Sequence, residues 1–143
     1  MESNQSLLEH VLVPVAGVAD ARTTAAALAQ FDTQDVTILY VVERSEGYID
    51  PVSTKYLEED GKAALQSFKE VFPDANEHLT SSDNLIEEIY DVADEVGATA
   101  IAYRSRGGSR FVRLLSGDHS LKLIDNPPIP VISLPDADGL SVE

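Results

Sequence analysis

The sequence predicts an α/β fold with an open, five-stranded, mainly parallel sheet and helices on both faces. Short apolar runs typical of buried strands alternate along the chain with segments whose apolar residues recur at helical spacing. The connections between these segments are short, and strands joined by helical crossovers pair in parallel with right-handed connections. A chain of 143 residues is long enough for one domain with a substantial core.

The first predicted elements are three strands with helices between them. The strands lie at residues 10–15, 36–42 and 76–80, and the third is polar, which is typical of an edge strand. The first helix lies at 20–31. One face of this helix carries small or apolar residues, namely Ala21, Thr24, Ala25, Leu28 and Ala29.

The second helix follows a polar loop at 43–52. Its apolar face is formed by Leu57, Ala64, Leu65, Phe68 and Phe72. Pro73 is expected to end it, because proline lacks a backbone N–H and disfavours helix in the preceding residue. Residues 81–84 then offer N-caps for a third helix, and Gly97 suits the C′ position at its other end. The apolar stripe of this third helix consists of Leu85, Ile89, Val92 and Val96.

The remaining elements complete the sheet. A fourth strand, a fourth helix and a fifth strand are predicted at 98–103, 109–125 and 129–134. Prolines suited to the entry of a strand or to a sheet edge stand at Pro127, Pro128 and Pro130. We therefore expect one folded domain at 9–134, between a flexible N-terminus at 1–8 and an acidic C-terminal tail at 135–143.

The chain is strongly acidic, with 25 Asp and Glu residues against 10 Lys and Arg and a formal net charge of −15. This charge repels nucleic acids and anionic membranes, so we expect neither as a partner. It suits a cytosol of high ionic strength, where the Debye length falls to about 3 Å at 1 M salt and self-repulsion is screened. A salt-adapted source such as a haloarchaeon is expected, with an acidic mesophilic protein as the alternative.

The composition also excludes several classes of site and location. The chain has no cysteine, which excludes disulfides, thiolate catalysis and cysteine–zinc sites. Its longest apolar stretches are about six residues, against about 20 needed to span a bilayer. The first ten residues lack the basic and apolar regions of a signal peptide. We expect a cytoplasmic location.

The most informative segment of the chain is residues 104–120. Four of the ten basic residues lie near its start with no acidic residue among them, namely Arg104, Arg106, Arg110 and Arg113. A basic turn that leads from a strand through glycines into a helix favours an anion, because backbone N–H groups and the helix dipole point at it. In an open parallel sheet, ligands bind beyond the carboxyl ends of the strands, where the strand order reverses. The loops after the first and fourth predicted strands, at 16–17 and 104–109, are expected to flank that point.

The sequence resembles the universal stress protein family over about residues 9–134. The resemblance rests on Val11-Leu-Val-Pro-Val15, on Ile38-Leu-Tyr-Val-Val42, on Arg104…Gly107…Gly117 and on Ile129-Pro-Val-Ile-Ser133. It implies a Rossmann-like fold of the adenine nucleotide alpha hydrolase-like type, with strand order 3-2-1-4-5. It also implies a homodimer formed through the last strand, by Ile129, Val131, Ile132 and Ser133.

In the nucleotide-binding branch of this family, a loop holds the phosphates and ribose of ATP. Its pattern is glycine, two residues, glycine, nine residues, glycine, then Ser or Thr. An Asp after the first strand and a Val after the second strand help to place the nucleoside. Gly107 and Gly117 match the second and third glycines, and Val41 retains the apolar contact. The resemblance therefore implies these nucleotide contacts: Pro14, Val15, Ala16, Val41, Arg104, Gly107, Gly117, Asp118, His119 and Ser120.

Three positions depart from the family pattern. Arg104 stands in place of the first glycine, and it lacks the positive-φ freedom of glycine. Asp118 replaces the Ser or Thr, although Ser120 follows, and a carboxylate 4 Å from a phosphate charge repels it by about 4 kcal/mol at an effective dielectric near 20. Ala16 stands in place of the Asp. The arginines could face a phosphate-bearing ligand, an acidic partner, or Asp118 and other acids of the chain itself.

No catalytic residue and no metal site is predicted. The three histidines are widely spaced, and the acidic pairs on the helices are expected to be solvated. Ser116, Asp118 and His119 are too close in sequence to converge as a catalytic triad. We expect a non-enzymatic stress-response or regulatory factor that acts as a dimer on an unidentified protein partner and binds ATP weakly or not at all. One alternative is a genuine binder of ATP or AMP, with magnesium, whose partner binding is switched by nucleotide; a slow ATPase is the third.

Overall fold

The computed structural model describes residues 6–43, 51–104, 123 and 126–135. These residues form strands and helices in the following order: β1 His10–Pro14, α1 Val18–Leu28, β2 Asp35–Glu43, α2 Pro51–Lys69, β3 Asn76–Ser82, α3 Leu85–Val96, β4 Ala100–Tyr103 and β5 Val131–Ser133. The strands make one parallel five-stranded sheet in the order β3-β2-β1-β4-β5. The predicted fold class and strand order are confirmed. The predicted fourth helix, at 109–125, lies outside the described residues except for Leu123, whose side chain is buried.

The helices differ from the prediction mainly at their ends. Helix α1 begins two residues earlier than expected and ends three residues earlier, because the N–H groups of Gln30 and Phe31 bond to carbonyls three residues back. Helix α2 begins at Pro51, a residue suited to a first helical turn, so the polar loop predicted at 43–52 is too long. The prediction that Pro73 ends α2 is wrong. The helix ends at Lys69, where the following N–H groups again bond three residues back.

The strands also differ in length from the prediction. Strand β3 is two residues longer than expected and polar along its exposed edge, as predicted. Strands β4 and β5 are shorter than predicted. Pairing nevertheless continues past the ends of β5, because Ile101 N–H donates to Pro130 O and Leu134 N–H donates to Tyr103 O. The caps of α3 are those expected: Asn84 accepts a bond from the N–H of Glu87, and Gly97 takes the left-handed conformation at φ 72°.

The sheet separates two apolar cores. One core lies between the sheet and helices α1 and α2, and it contains Val13, Leu28, Ile38 and Phe68. The other lies on the face of α3 and contains Leu12, Leu39, Ile89 and Leu123. Alternate residues of β1 and β2 enter opposite cores, which explains why these central strands have near-continuous apolar sequences. Among the described helices, none is both long enough and apolar enough to cross a membrane.

Candidate functional site

The candidate site lies at the carboxyl end of the sheet, between β1 and β4. Strand β1 pairs with β2 on one side and with β4 on the other, so the order of the strands reverses between β1 and β4. Ligands of open parallel sheets bind at such a reversal. The residues that follow the two strands are Val15 to Gly17 after β1 and Arg104 after β4. The structure therefore places Arg104 at the edge where the topology predicts a ligand.

A buried pair of opposite charges occupies this edge. The guanidinium of Arg104 lies with its Nη2 atom 3.9 Å from Oδ1 of Asp20. Asp20 is 4% exposed and Arg104 is 8% exposed. Burial of either charge alone would cost several kcal/mol, so the two depend on each other for compensation.

Asp20 is held in place by the first turn of α1. The N-cap of this helix is Gly17, which has no side chain with which to cap it. Asp20, three residues later, reaches back instead, and its Oδ2 accepts the N–H of Ala16 at 2.8 Å. Its Oδ1 accepts the hydroxyl of Thr24, one turn further along, at 3.3 Å. The carboxylate is thus fixed at the start of α1, against the loop that follows β1.

Arg104 is less completely bonded than Asp20. A separation of 3.9 Å is too long for a hydrogen bond, so its contact with Asp20 is electrostatic. Its Nε atom is buried and has no hydrogen-bond partner among the residues that the structure describes. A guanidinium offers five N–H donors in a fixed fork. Within the described part of the chain, the site therefore has unused donor capacity on Arg104.

The other candidate nucleotide residues divide between the two faces of the sheet. Val15 is buried in the core of α1 and α2, and its N–H donates to Leu39 O at 2.9 Å. Val41 is buried in the opposite core, and Ala16 packs against that core. Pro14 is buried at the end of β1. Gly107, Gly117, Asp118, His119 and Ser120 lie outside the described residues, as do Arg106, Arg110 and Arg113.

The residues predicted to form a dimer lie on and beside β5. This strand is at one edge of the sheet and pairs only with β4 among the described strands. Ile129, Val131 and Ile132 are half-buried, and Ser133 is exposed. Apolar side chains that remain partly open at a sheet edge are typical of a surface that a second chain can cover.

Asp20 is the residue of this site that sequence reasoning missed. The sequence points to Asp118 and neighbouring acids as internal partners of the arginines, whereas the structure brings Asp20 to Arg104. The sequence does contain one feature that could have identified Asp20. Asp20 precedes Ala21 on the inward face of α1 and stands four residues before the buried Thr24, so its carboxylate interrupts an otherwise small and apolar stripe. A charge on a buried stripe requires a partner, and the nearest basic loop in the predicted topology contains Arg104.

Two of the three histidines, His10 and His78, lie within the described residues. Nε2 of His10 lies 2.8 Å from Oγ1 of Thr37, and His78 is half-buried within the edge strand β3. His119 lies outside the described residues. In the described ranges, no group of three or more His, Asp or Glu side chains is arranged to hold a metal ion.

The described residues fit a nucleotide phosphate poorly at the loop after β1. A phosphate that approached the N–H of Ala16 would find it already bonded to Asp20. It would also meet a buried carboxylate, and two like charges 4 Å apart repel by about 4 kcal/mol at an effective dielectric near 20. Arg104 and Val41 could favour such a ligand, but Asp20 opposes it.

Comparison with known proteins gives a family and a fold. The sequence matches the model of the universal stress protein family over residues 8–135. No match was found among curated proteins.

Several solved structures share the fold. A universal stress protein from Archaeoglobus fulgidus is 22% identical, with 89% of this chain and 93% of that chain covered and a TM-score of 0.63. One from Lactobacillus plantarum is 23% identical, with 92% and 100% covered and a TM-score of 0.65. The Archaeoglobus fulgidus universal stress protein in complex with dAMP is 20% identical, with 91% and 100% covered and a TM-score of 0.59. At these identities the likeness is one of fold.

Proposed function

This chain belongs to the universal stress protein family, and we propose that it is a non-enzymatic stress-response or regulatory factor that acts as a dimer and binds ATP and AMP only weakly. The buried contact between Asp20 and Arg104 carries this proposal. The contact fills the edge between β1 and β4 with two charges of the protein itself. A nucleotide phosphate would have to displace or tolerate the carboxylate.

Two further features support a binding factor without catalysis. The carboxylate of Asp20 accepts bonds from Ala16 N–H and Thr24 Oγ1–H, and the residue is only 4% exposed, so its oxygens face the protein rather than the solvent. A general base needs a lone pair within reach of the proton that it removes. The sequence departs from the family's ATP-binding pattern at Ala16, Arg104 and Asp118, and these three departures also favour weak nucleotide binding.

The alternative is a genuine nucleotide binder whose partners change with its ligand. The dAMP complex of the Archaeoglobus fulgidus protein and the unpartnered Nε of Arg104 among the described residues favour it. Isothermal titration calorimetry of ATP and AMP, each in molar KCl with magnesium, separates the two functions. We expect dissociation constants weaker than about 0.1 mM. Tighter binding of either nucleotide would overturn weak nucleotide binding and establish the alternative.

Dimerisation is proposed to occur through β5. The strand presents a free edge among the described strands, and its apolar side chains are half-buried in the single chain. A two-fold pairing would cover these side chains and complete the backbone bonds of the edge. Light scattering at micromolar concentration should give the mass of a dimer, and Ile132→Glu should give that of a monomer. The matched control is Leu79→Glu on the opposite edge strand β3, provided that unfolding curves show both variants folded. A monomeric native protein would contradict this interface.

A further inference from the structure

We propose that Asp20 is an internal competitor for an oxyanion site, which is formed by the N–H of Ala16 and the guanidinium of Arg104. The ligand class is an oxyanion, with a phosphate group as the main example. This inference rests on the proposed function and gives its physical cause: weak nucleotide binding results from self-occupation of the site. The contact acts as built-in inhibition, because the protein's own carboxylate takes the place of the anion.

The two donors that define the site belong to residues that follow different strands. Ala16 follows β1, and its N–H points to Oδ2 of Asp20 at 2.8 Å. Arg104 follows β4, and its Nη2 lies 3.9 Å from Oδ1 of the same carboxylate. The carboxylate thus lies between a backbone donor near the positive end of α1 and a buried guanidinium. Backbone N–H groups at a helix N-terminus, combined with arginine, are the donors that proteins use for oxyanions.

The carboxylate of Asp20 forms a hydrogen bond with only one of the two donors of this site. It bonds to Ala16 but stays beyond hydrogen-bonding distance of Arg104, whose Nε has no partner within the described ranges. The cause is its attachment, because α1 and the bond to Thr24 fix where Asp20 can stand. A free oxyanion has no such restraint and could accept from both donors. An arginine with an unmade buried bond gains more from such a ligand than one that is fully paired.

A purely structural role for Asp20 makes a different prediction. If Asp20 serves only to cap α1, neutralising its charge should weaken the helix and leave anion affinity unchanged. Asp20→Asn separates these roles, because asparagine keeps a neutral acceptor for the N–H of Ala16 when no ligand is present but removes the negative charge that competes with an anion. The volume of the side chain is nearly preserved.

The test is calorimetric titration of the full chain and its Asp20→Asn variant with inorganic phosphate, AMP and adenosine. We expect Asp20→Asn to bind AMP at least about tenfold more tightly than the native protein, a change of about 1.4 kcal/mol. A gain for phosphate as well as AMP identifies the anion as the ligand group, and a gain for AMP alone shows that the nucleoside is needed too. Adenosine, which lacks the anion, should show no gain.

Two control variants complete the design. Asp32→Asn changes an exposed acid near the far end of α1 and removes the same charge, so it should leave all three affinities unchanged. Asp20→Asn combined with Arg104→Gln should lose the gain, because the guanidinium supplies the attraction. The inference is overturned if Asp20→Asn binds phosphate and AMP no better than the native chain, or if adenosine gains equally.

Failure of this inference and failure of the proposed function give different experimental results. Tight ATP binding by the native protein would contradict the proposed function, whereas an unchanged Asp20→Asn would contradict only the competition by Asp20. If Asp20→Asn does not fold, nuclear magnetic resonance of the native chain provides the second measurement. High phosphate, but not chloride at the same ionic strength, should shift the Ala16 N–H and Arg104 Nε–H signals. Equal shifts in both salts, or none, would overturn the inference.

Discussion

The amino end and the carboxyl end of the sheet both bury polar groups, but these groups are bonded differently at the two ends. At the amino end, the buried or half-buried side chains of Thr99, His10 and Thr37 bond to one another's strands and to the backbone. At the carboxyl end, two charges face each other without a hydrogen bond. The two ends therefore differ in how completely their buried polar groups are hydrogen-bonded, and the less completely bonded end is the one that carries the candidate site.

Several hydrogen bonds connect the side chains and the backbone at the amino end of the sheet. The hydroxyl of Thr99 accepts the N–H of His10 at 3.0 Å and lies within donating distance of the carbonyls of Leu7 and His10, at 2.9 and 3.0 Å. The ring of His10 contacts the hydroxyl of Thr37 at 2.8 Å. These bonds tie the start of β1 to its neighbours on both sides. Their role is to fix the sheet.

The carboxyl end retains unused bonding capacity. Nε of Arg104 and Oγ1 of Thr80 are buried, and neither has a hydrogen-bond partner among the described residues. Thr80 pairs with Val41 near the carboxyl end of β3. Buried polar atoms are nearly always bonded in folded proteins, so each exception requires an explanation such as local strain, a bound water or ion, or a functional role. Both exceptions lie toward the end of the sheet where the topology predicts a ligand.

The largest effect is expected from Asp20→Ala. This change leaves the guanidinium of Arg104 buried without its counter-charge and removes the acceptor for Ala16 N–H. We expect the free energy of unfolding to fall by about 3 kcal/mol. Urea denaturation followed by circular dichroism measures it, with Asp32→Ala as an exposed control that should change stability by less than about 0.5 kcal/mol. A loss no larger than that of the control would show that the two buried charges do not depend on each other.

A smaller effect is expected from Thr99→Val at the amino end. Valine keeps the shape of the side chain but leaves the His10 N–H without this acceptor. The expected loss of stability is about 1–2 kcal/mol, in the lower part of the range for an unsatisfied donor, because this bond is only partly buried. Thr23→Val on α1 is the matched control, because its hydroxyl bonds only within the exposed side of its own helix in the described structure. The same urea experiment applies, and anion affinity should not change. Altered affinity for phosphate would mean that the two ends are coupled.

The sequence predicted the fold more completely than the site, for physical reasons. Apolar periodicity is local, so the runs around Val13 and Ile38 identified strands correctly. The end of α2 was misjudged, because backbone bonds three residues back close the helix before Pro73 is reached. The location of the candidate site followed from the order of the strands, but the partner of Arg104 did not. Asp20 and Arg104 are distant in sequence, and only the folded sheet brings the start of α1 next to the residue that follows β4.

The smallest effect is expected from Glu77→Gln, which tests whether charge as such distinguishes the two ends. Glu77 in β3 pairs with Lys69 at the end of α2 at 3.0 Å, but their side chains are 47% and 30% exposed. Exposed pairs contribute about 0–1 kcal/mol, and loss of one negative charge from a chain of net charge −15 offsets part of that. We expect a change in unfolding free energy within about 0.5 kcal/mol, and a smaller one in molar KCl, where exposed charges are screened. The loss in Asp20→Ala should persist in molar KCl, because salt screens a buried pair far less. Equal salt dependence of the two variants would show that burial does not separate them, and the contrast between the two ends of the sheet would then rest on hydrogen bonding alone.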